Sequence, residues 1–264
     1  MPSPASLDLM LKNLRLPTIL SQHDELARHG EREGWSFDEY LSRLAEMELE
    51  DRRQHRVERL LKTSCLPSSK TMATLDMKRF TTTIRRLAPI LAEGGFVDRA
   101  ENVLLFGLPG RGKTHLAAAI GHELVLAGRA VLFTTTASLV QKLLAAKRDL
   151  RLDAQLQMLD HFEVVIIDDL GYVQKDQQEM EVLFTFLGER YERRSVMITC
   201  NLVFSQWDRI FNDTMMTACA IERLVHHATI LELSGSSFRT DAAKRRNTDL
   251  TALDGPTASP AEGI

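Results

Sequence analysis

Eight consecutive residues near the middle of the chain have the types and spacing of a phosphate-binding loop. Gly107 to Thr114 read GLPGRGKT, which fits the pattern GxxxxGKT and lies between an apolar run and a stretch with helical periodicity. Glycines let backbone N–H groups point at a phosphate, and the N-terminus of a following helix favours negative charge. In such a loop Lys113 contacts the outer phosphates and the Thr114 hydroxyl binds Mg²⁺, so the pattern predicts a nucleotide site. The candidate nucleotide-binding residues are Gly107, Leu108, Pro109, Gly110, Arg111, Gly112, Lys113, Thr114 and His115.

A second motif ends in two acids. Phe162 to Asp169 read FEVVIIDD, in which four consecutive β-branched apolar residues precede Asp168 and Asp169. A buried strand of a parallel sheet presents its C-terminal side chains at the edge where ligands bind. We therefore expect Asp168 to hold Mg²⁺ and Asp169 to polarise an attacking water. A plain strand followed by an acidic turn is the alternative interpretation.

Asn201 follows a further apolar stretch, Val196 to Cys200. An amide at the end of this strand can hold the attacking water or the outer phosphate beside the two acids. Taken alone, an Asn after a strand is usually a turn residue. The order and spacing of the three motifs favour the catalytic interpretation.

Arg223 lies just before the last predicted strand. If subunits stack, Arg223 would project into a neighbour's site and neutralise charge that develops on the phosphate, as an arginine finger does. A surface arginine paired with Glu222 or Asp213 is the alternative.

Positive charge is concentrated in one segment. The chain has 33 basic and 36 acidic side chains and a formal net charge of -3, which gives no overall attraction to DNA or to an anionic membrane. Residues 52–86, however, have 10 basic and 2 acidic side chains. Because few acids are close enough in sequence to pair with them, we expect contact with a duplex backbone; a solvated helix face is the alternative. The candidate DNA-binding residues are Arg52, Arg53, Arg56, Arg59, Lys62, Lys78, Arg79, Arg85 and Arg86.

Short apolar strands that alternate with helical stretches must position these residues. From Asn102 onward the alternation predicts an α/β fold with a mainly parallel, five-stranded sheet flanked by helices. The predicted strands are Val103 to Phe106, Ala130 to Thr134, Val164 to Asp168, Val196 to Cys200 and Thr229 to Leu233. The predicted helices are Lys113 to Ala127, Ser138 to Leu150, Gln177 to Arg193, one around Phe204 to Phe211, and Ala218 to His226.

A helical segment precedes this core. Ser36 to Glu39 read SFDE, a capping box that predicts the start of a long amphipathic helix with Arg52, Arg56 and Arg59 on one face. Leu66 to Ser69 read LPSS and predict its end, with an interdomain linker at about residues 66–80.

Other classes of protein are disfavoured. Charges interrupt the long apolar runs, so we expect no secretory signal or membrane span and a cytoplasmic location. The three cysteines have no metal-ligand spacing, and we expect neither a structural zinc nor a disulfide. His226 and His227 are assigned to packing or to the surface rather than to metal binding.

Three motifs together resemble those of the AAA+ ATPases of the initiator and helicase-loader group. They read GLPGRGKTH from Gly107, VVIIDDLGY from Val164 and ITCNL from Ile198. Within that group, FDEYLSRLAEMELEDRRQHRVERLLK from Phe37, FSQWDRIF from Phe204 and ERLVHHA from Glu222 resemble IstB-type ATP-binding proteins of insertion sequences.

The resemblance implies a transposition helper that binds ATP with Mg²⁺, hydrolyses ATP, oligomerises on duplex DNA and cooperates with a cognate transposase. We expect four segments: a helical DNA- or partner-binding domain at 1–70, a basic linker and lead-in helix at 71–100, an AAA+ core at 101–248 and a tail at 249–264 whose Pro, Gly, Ala, Ser and Thr content predicts disorder. Two departures stand out, because Asp169 is shorter than the Glu common in such ATPases and too few residues follow the last strand for a full helical C-terminal lid.

Two other functions stay open at this point. A DnaC-like loader would have the same core, with N-terminal helices that bind a replicative helicase. A small-molecule P-loop kinase needs neither Asn201 nor a basic helical segment and is therefore disfavoured.

Overall fold

A computed structural model of the protein describes residues 4–171, 176–202, 206–207, 214–235 and 237–238. The chain divides into two compact units, Met1–Lys62 and Thr63–Ile264. Three predictions lie wholly or partly outside the described residues: the helix around 204–211, the tail at 249–264 and the missing C-terminal lid.

The first unit is helical, with α1 at Pro4–Asn13, α2 at Pro17–Glu33 and α3 beginning at Phe37 and ending at Ser64. The predicted start of α3 is confirmed, because the Ser36 hydroxyl accepts a hydrogen bond from the backbone N–H of Glu39 at 3.1 Å.

The buried Glu48 fastens the start of α2 to the middle of α3. The Glu48 carboxylate is 3% exposed and accepts hydrogen bonds from the backbone N–H groups of Thr18 at 2.9 Å and Ile19 at 3.2 Å. These N–H groups belong to the first turn of α2 and have no partner within the helix. A buried carboxylate therefore caps α2 across the unit.

The predicted apolar face of α3 is only partly buried. Leu44 is 4% exposed, whereas Leu41 is 63% and Leu49 is 67% exposed. Leu49 lies about 140° around the helix from Leu44, so one partner surface cannot cover both. A unit of this size has little interior to offer a long helix.

The second unit contains a five-stranded, all-parallel sheet with strand order β2-β3-β4-β1-β5. All five predicted strands are confirmed, with ends that differ by at most one residue. The strands are β1 at Asn102–Phe106, β2 at Val131–Thr135, β3 at Val164–Asp168, β4 at Ser195–Cys200 and β5 at Ala228–Glu232.

Helices flank the sheet, as parallel strands require. The predicted helix from Ser138 begins two residues earlier, because the Thr135 hydroxyl accepts from the Ser138 N–H and caps it. The described helices are α4 at Thr82–Ala92, α5 at Gly95–Asp98, α6 at Lys113–Leu126, α7 at Thr136–Arg148, α8 at Leu152–Asp160, α9 at Gln177–Arg190 and α10 at Thr214–Val225.

Residues 66–80, expected as a linker, pack within the second unit; we call them the strap. The strap contains two short 3₁₀ turns, and its Leu75 and Phe80 are 6% and 5% exposed. The Pro67 carbonyl oxygen lies 3.2 Å from His122 Nε2 on α6. The strap therefore lies along the helix that follows the phosphate loop.

Two buried polar side chains hold the starts of the strands. Asn102 donates to the carbonyl oxygen of Leu224 at 3.2 Å and accepts from the Val196 N–H at 3.0 Å. Arg190 is 3% exposed and donates to four backbone carbonyls around the beginnings of β3 and β4. Burial lowers the pKa of the Arg190 guanidinium to about 9, which leaves it charged at neutral pH.

Candidate functional site

The predicted phosphate loop connects the end of β1 to the start of α6. Gly112 is the N-cap of α6 and has φ 88°, a left-handed conformation that glycine adopts without steric cost. A Cβ at Gly112 would lie 3.1 Å from a ring carbon of Phe80 and 3.2 Å from one of Phe238. Two aromatic rings thus pack against the loop at the residue where its backbone turns into the helix.

Lys113, the first residue of α6, extends back over the loop. Its side chain is nearly buried, and its Nζ donates to the carbonyl oxygens of Gly107 at 2.6 Å and Leu108 at 3.1 Å. These bonds hold the ammonium above the loop, where it can contact a phosphate bound by the loop and by the N-terminus of α6.

The two acids predicted at the end of β3 occupy different environments. Asp168 is 6% exposed, and its Oδ1 accepts a hydrogen bond from the Thr199 hydroxyl at 2.6 Å. Asp169 is exposed, has φ 59° and donates its backbone N–H to Thr199 Oγ1 at 2.9 Å. The left-handed backbone at Asp169 turns the chain so that consecutive carboxylates differ in burial.

Thr199 was not singled out from the sequence, because it lies inside an apolar strand motif. β4 lies between β1 and β3 in the sheet, so Thr199 on β4 is next to the end of β3. Its hydroxyl is fully buried and has both a donor and an acceptor role. A polar residue within an otherwise buried strand is the sequence signal that could have identified it.

Asn201 follows β4 and lies close to the backbone that follows Asp169. A Cβ added to Gly171 would be 2.3 Å from Asn201 Oδ1 and 2.9 Å from Leu202 Cγ. Only glycine therefore allows Asn201 its observed position. Asn201 Oδ1 is buried against Gly171 and has no hydrogen-bond partner within the described part of the chain.

A cleft of about 420 Å³ brings most of the predicted nucleotide residues together with Asp169. Its volume lies within the range of small-molecule and cofactor sites. Lys70, Leu75 and Phe238 also line it, and sequence reasoning missed all three. The lining residues are Lys70, Leu75, Pro109, Gly110, Arg111, Gly112, Lys113, Thr114, His115, Asp169 and Phe238.

His115 links this cleft to the strap. Its Nε2 is 3.0 Å from Thr74 Oγ1 and 3.3 Å from the Thr71 carbonyl oxygen. Burial lowers the pKa of the imidazole, the hydrogen bond to Thr71 opposes this, and the Lys70 ammonium lowers the pKa further. The His115 ring therefore contacts the strap, although the sequence analysis assigned this residue to the nucleotide site.

Arg223 lies at the end of the sheet where the strands begin, opposite the phosphate loop. It is in the last turn of α10, next to Leu224, whose carbonyl oxygen accepts from Asn102 at the first position of β1. Its guanidinium carbon is 4.7 Å from the ring centroid of Phe184 on α9. The phosphate loop follows the last residue of β1, so Arg223 does not line the cleft of its own chain.

The predicted DNA-binding residues are divided between the two units. In the first unit, Arg52, Arg56 and Arg59 line one shallow cleft, as their spacing predicts. Arg15 and His55 also line this cleft, and so do the acids Glu48 and Asp51. Arg52 is also a structural residue, because its Nε is 2.8 Å from Glu48 Oε1 and its terminal nitrogen donates to the Arg15 carbonyl.

In the second unit, Lys78, Arg79, Arg85 and Arg86 lie on the strap and α4. The Arg79 guanidinium carbon lies 3.8 Å from the ring centroid of Phe238. Arg85 donates to Thr82 Oγ1 at 3.3 Å. Arg53 and Lys62 are exposed on α3.

Across the described ranges, no helix combines the length and apolar character needed to cross a membrane.

Comparisons with known proteins agree with this geometry. The sequence matches the family described as IstB-like ATP binding protein over residues 9–246. A Sinorhizobium fredii (strain NBRC 101917 / NGR234) protein described as an insertion sequence ATP-binding protein is 46% identical over 240 residues, 90% of this chain and 80% of that relative. The IS21 insertion sequence ATP-binding protein of Pseudomonas aeruginosa is 35% identical over 233 residues, 88% of each chain. The solved DnaC helicase loader superposes with a TM-score of 0.53 at 18% identity, covering 63% of this chain and 98% of its own, which shows a shared fold.

Proposed function

We infer that this chain, which belongs to the family of IstB-like ATP binding proteins, is an ATP-hydrolysing helper of transposition. The observation that carries the proposal is the cleft in which the phosphate loop, Lys113 and Asp169 meet, beside a buried Asp168 held by Thr199. The match to insertion sequence ATP-binding proteins supports ATP as the nucleotide and a transposase as the partner.

Thr114 and Asp168 are the residues that would hold Mg²⁺. Their hydroxyl and carboxylate oxygens are the ligands that this ion prefers, and it usually keeps several waters as well. One oxygen of Asp168 accepts from Thr199, which leaves the second oxygen for the ion. Bound there, Mg²⁺ would supply positive charge beside the phosphates.

Asp169 and Asn201 are proposed to act on the attacking water. Asp169 is exposed to the cleft and would accept the water's proton while the bond between the terminal phosphate and ADP breaks. Asn201 Oδ1 would hold the water through a hydrogen bond, and Gly171 lets the amide approach. The products are ADP and inorganic phosphate.

DNA contact is assigned to the basic cleft on α3. Arg56 and Arg59 line it together with Arg15, and phosphate groups of a duplex would be held there by charge and counterion release. Assembly on DNA would then depend on ATP, and hydrolysis would reverse it.

The central test measures phosphate release with and without Mg²⁺ and duplex DNA, together with nucleotide-dependent oligomers by light scattering. Wild-type protein should hydrolyse ATP and assemble, whereas Lys113→Ala should do neither. Lys142→Ala, an exposed lysine on α7, is the matched control and should behave as wild type.

Phosphate transfer to a small metabolite with no effect of DNA would contradict the proposal and favour a kinase. Co-purification of the chain with its transposase, but not with a replicative helicase, distinguishes a transposition helper from a helicase loader.

A further inference from the structure

Two histidines and a glutamate meet at the sheet edge opposite the phosphate loop. Glu192 lies in the turn after α9, and His226 and His227 lie between α10 and β5. Glu192 Oε1 is 3.9 Å from His226 Nδ1 and 3.8 Å from His227 Nε2. Ligand atoms of all three side chains lie within 4.8 Å of one another. We propose that these side chains bind a divalent late first-row transition-metal ion, such as Zn²⁺.

The chemistry of the three side chains fits such an ion. Imidazole nitrogen and carboxylate oxygen bind Zn²⁺ at about 2.0–2.2 Å, so neighbouring ligand atoms of a tetrahedral site are about 3.4 Å apart. The two glutamate–histidine separations exceed this value by about 0.5 Å, and the widest separation within the cluster, at most 4.8 Å, exceeds it by up to about 1.4 Å. All three side chains are exposed and can rotate to close these differences. Three protein ligands leave one position for water.

The backbone around the cluster is fixed while its side chains face solvent. The His227 carbonyl oxygen accepts from the Asn102 N–H at 2.7 Å, and the His226 N–H donates to the Glu222 carbonyl at 2.9 Å. Both histidines are thus anchored, one to β1 and one to the last turn of α10. The ligands start from defined positions, which reduces the entropy lost on binding.

Neighbouring groups are compatible with a cation. The Tyr191 hydroxyl lies 3.1 Å from His226 Nδ1 and is the group that the ion would displace. Glu101 lies near His227 but is held by two hydrogen bonds from Arg99, which lower the pKa of its carboxyl. Glu101 therefore remains ionised without being a free competing ligand.

Sequence reasoning assigned both histidines to packing or to the surface rather than to metal binding, and in the structure both are exposed. Glu192 is far from them in sequence, and only the packing of α9 beside α10 brings the three together. A bound ion would join the ends of these two helices, and Arg223 on α10 packs over Phe184 on α9. The proposal is independent of the ATP site.

The experiment titrates the full-length protein with Zn²⁺ by calorimetry at pH 7.5 in excess Mg²⁺, which occupies oxygen-ligand sites. We expect one ion per chain. His227→Ala and the near-isosteric Glu192→Gln should each lose at least about tenfold in Zn²⁺ affinity, because even residues that only support a metal ligand typically change metal affinity by about 10–100-fold when mutated. His161→Ala removes an exposed histidine elsewhere and should bind as wild type. X-ray absorption at the zinc edge should show two imidazole ligands and oxygen.

The proposal is overturned if wild-type protein binds no Zn²⁺ at 100-fold excess over protein, or if His227→Ala and Glu192→Gln bind as tightly as His161→Ala. Far-ultraviolet circular dichroism of each variant confirms that it is folded, and Glu192→Gln keeps the side-chain volume where His227→Ala does not.

Discussion

Replacing Thr199 by valine tests whether the buried hydroxyl positions the acidic pair. Valine has nearly the same shape but cannot donate to Asp168 Oδ1 or accept from the Asp169 N–H, two bonds of 2.6 and 2.9 Å. A hydrogen bond to a charged group contributes about 1.5–3 kcal/mol to stability. For a chain of this size, that loss corresponds to a fall in Tm of roughly 3–12 °C.

The effect on function should be larger and more specific. Residues that orient a metal ligand typically change metal affinity by about 10–100-fold. Thr199→Val should therefore raise the Mg²⁺ concentration for half-maximal ATP hydrolysis by about this factor, with a smaller change in the nucleotide affinity measured without metal. Lys113 and the loop backbone are expected to determine that affinity, whereas the Thr199 hydroxyl bonds to Asp168 and to the Asp169 N–H.

The assay is a Mg²⁺ titration of phosphate release, with two controls. Thr199→Ser keeps the hydroxyl, and its Mg²⁺ midpoint should lie close to that of the wild-type protein. Thr134→Val removes a buried hydroxyl from β2 that donates only to a neighbouring carbonyl at 3.3 Å, and it should leave the titration unchanged. An unaltered Mg²⁺ midpoint in a folded Thr199→Val protein would refute the reasoning.

Three other variants separate binding, hydrolysis and DNA contact. Asp169→Asn should keep ATP binding and reduce hydrolysis at least tenfold, because the amide cannot accept the proton; wild-type turnover would remove Asp169 as the base. Gly171→Ala should also slow hydrolysis with ATP binding retained, since its Cβ would displace Asn201, and an unaffected rate would mean that Asn201 has no role. Charge reversal of Arg56 and Arg59 should weaken duplex binding and flatten its salt dependence in a fluorescence titration, and unchanged affinity would leave them as a solvated face.

The part of the fold that sequence predicted best is the part encoded locally. The sequence predicted a strand directly before the Gly107–Thr114 loop and a strand that ends at Asp168. The structure has β1 and β3 at these positions. Parallel strands with both faces covered read as continuous apolar runs, which is why β1, β3 and β4, buried at every position, were recognisable.

The sequence predicted an interdomain linker where the structure has the strap, because the burial of the strap depends on partners that are distant in sequence. Its 3₁₀ turns have no helical or strand period, and Pro67 favours a linker interpretation. Phe80 is buried against the loop at Gly112, and Phe238 joins it from beyond β5. A local pattern cannot predict a contact between segments this far apart in sequence.

The ion pair that gives Arg52 its structural role could, by contrast, have been predicted from the sequence. Glu48 lies four residues before it on the same helix, the spacing of a favourable ion pair. Counting net charge by segment hid this pair, because the boundary of the basic segment fell between the two residues.

Arg223 and the cleft lie at opposite ends of the strands, which limits how Arg223 of one subunit could reach the cleft of another. β1 spans about 13 Å from Asn102 to Phe106, the residue before the phosphate loop. Asn102 donates a hydrogen bond to the carbonyl oxygen of Leu224, the residue after Arg223. In a two-fold dimer each Arg223 could reach the other subunit's cleft only if one patch contained both features. A head-to-tail arrangement joins two different patches instead, and it gives rings or filaments.

Mixing two impaired variants tests this arrangement. In a 1:1 mixture, Asp169→Asn subunits keep Arg223 but hydrolyse ATP at least about tenfold more slowly, and Arg223→Ala subunits keep the cleft but lack the finger. In a random head-to-tail mixture, about a quarter of the interfaces combine an intact cleft with an intact Arg223. Phosphate release should then rise to about a quarter of the wild-type rate. If the mixture is no more active than the average of the separate variants, Arg223 supports only the packing of α10 on α9, through Phe184.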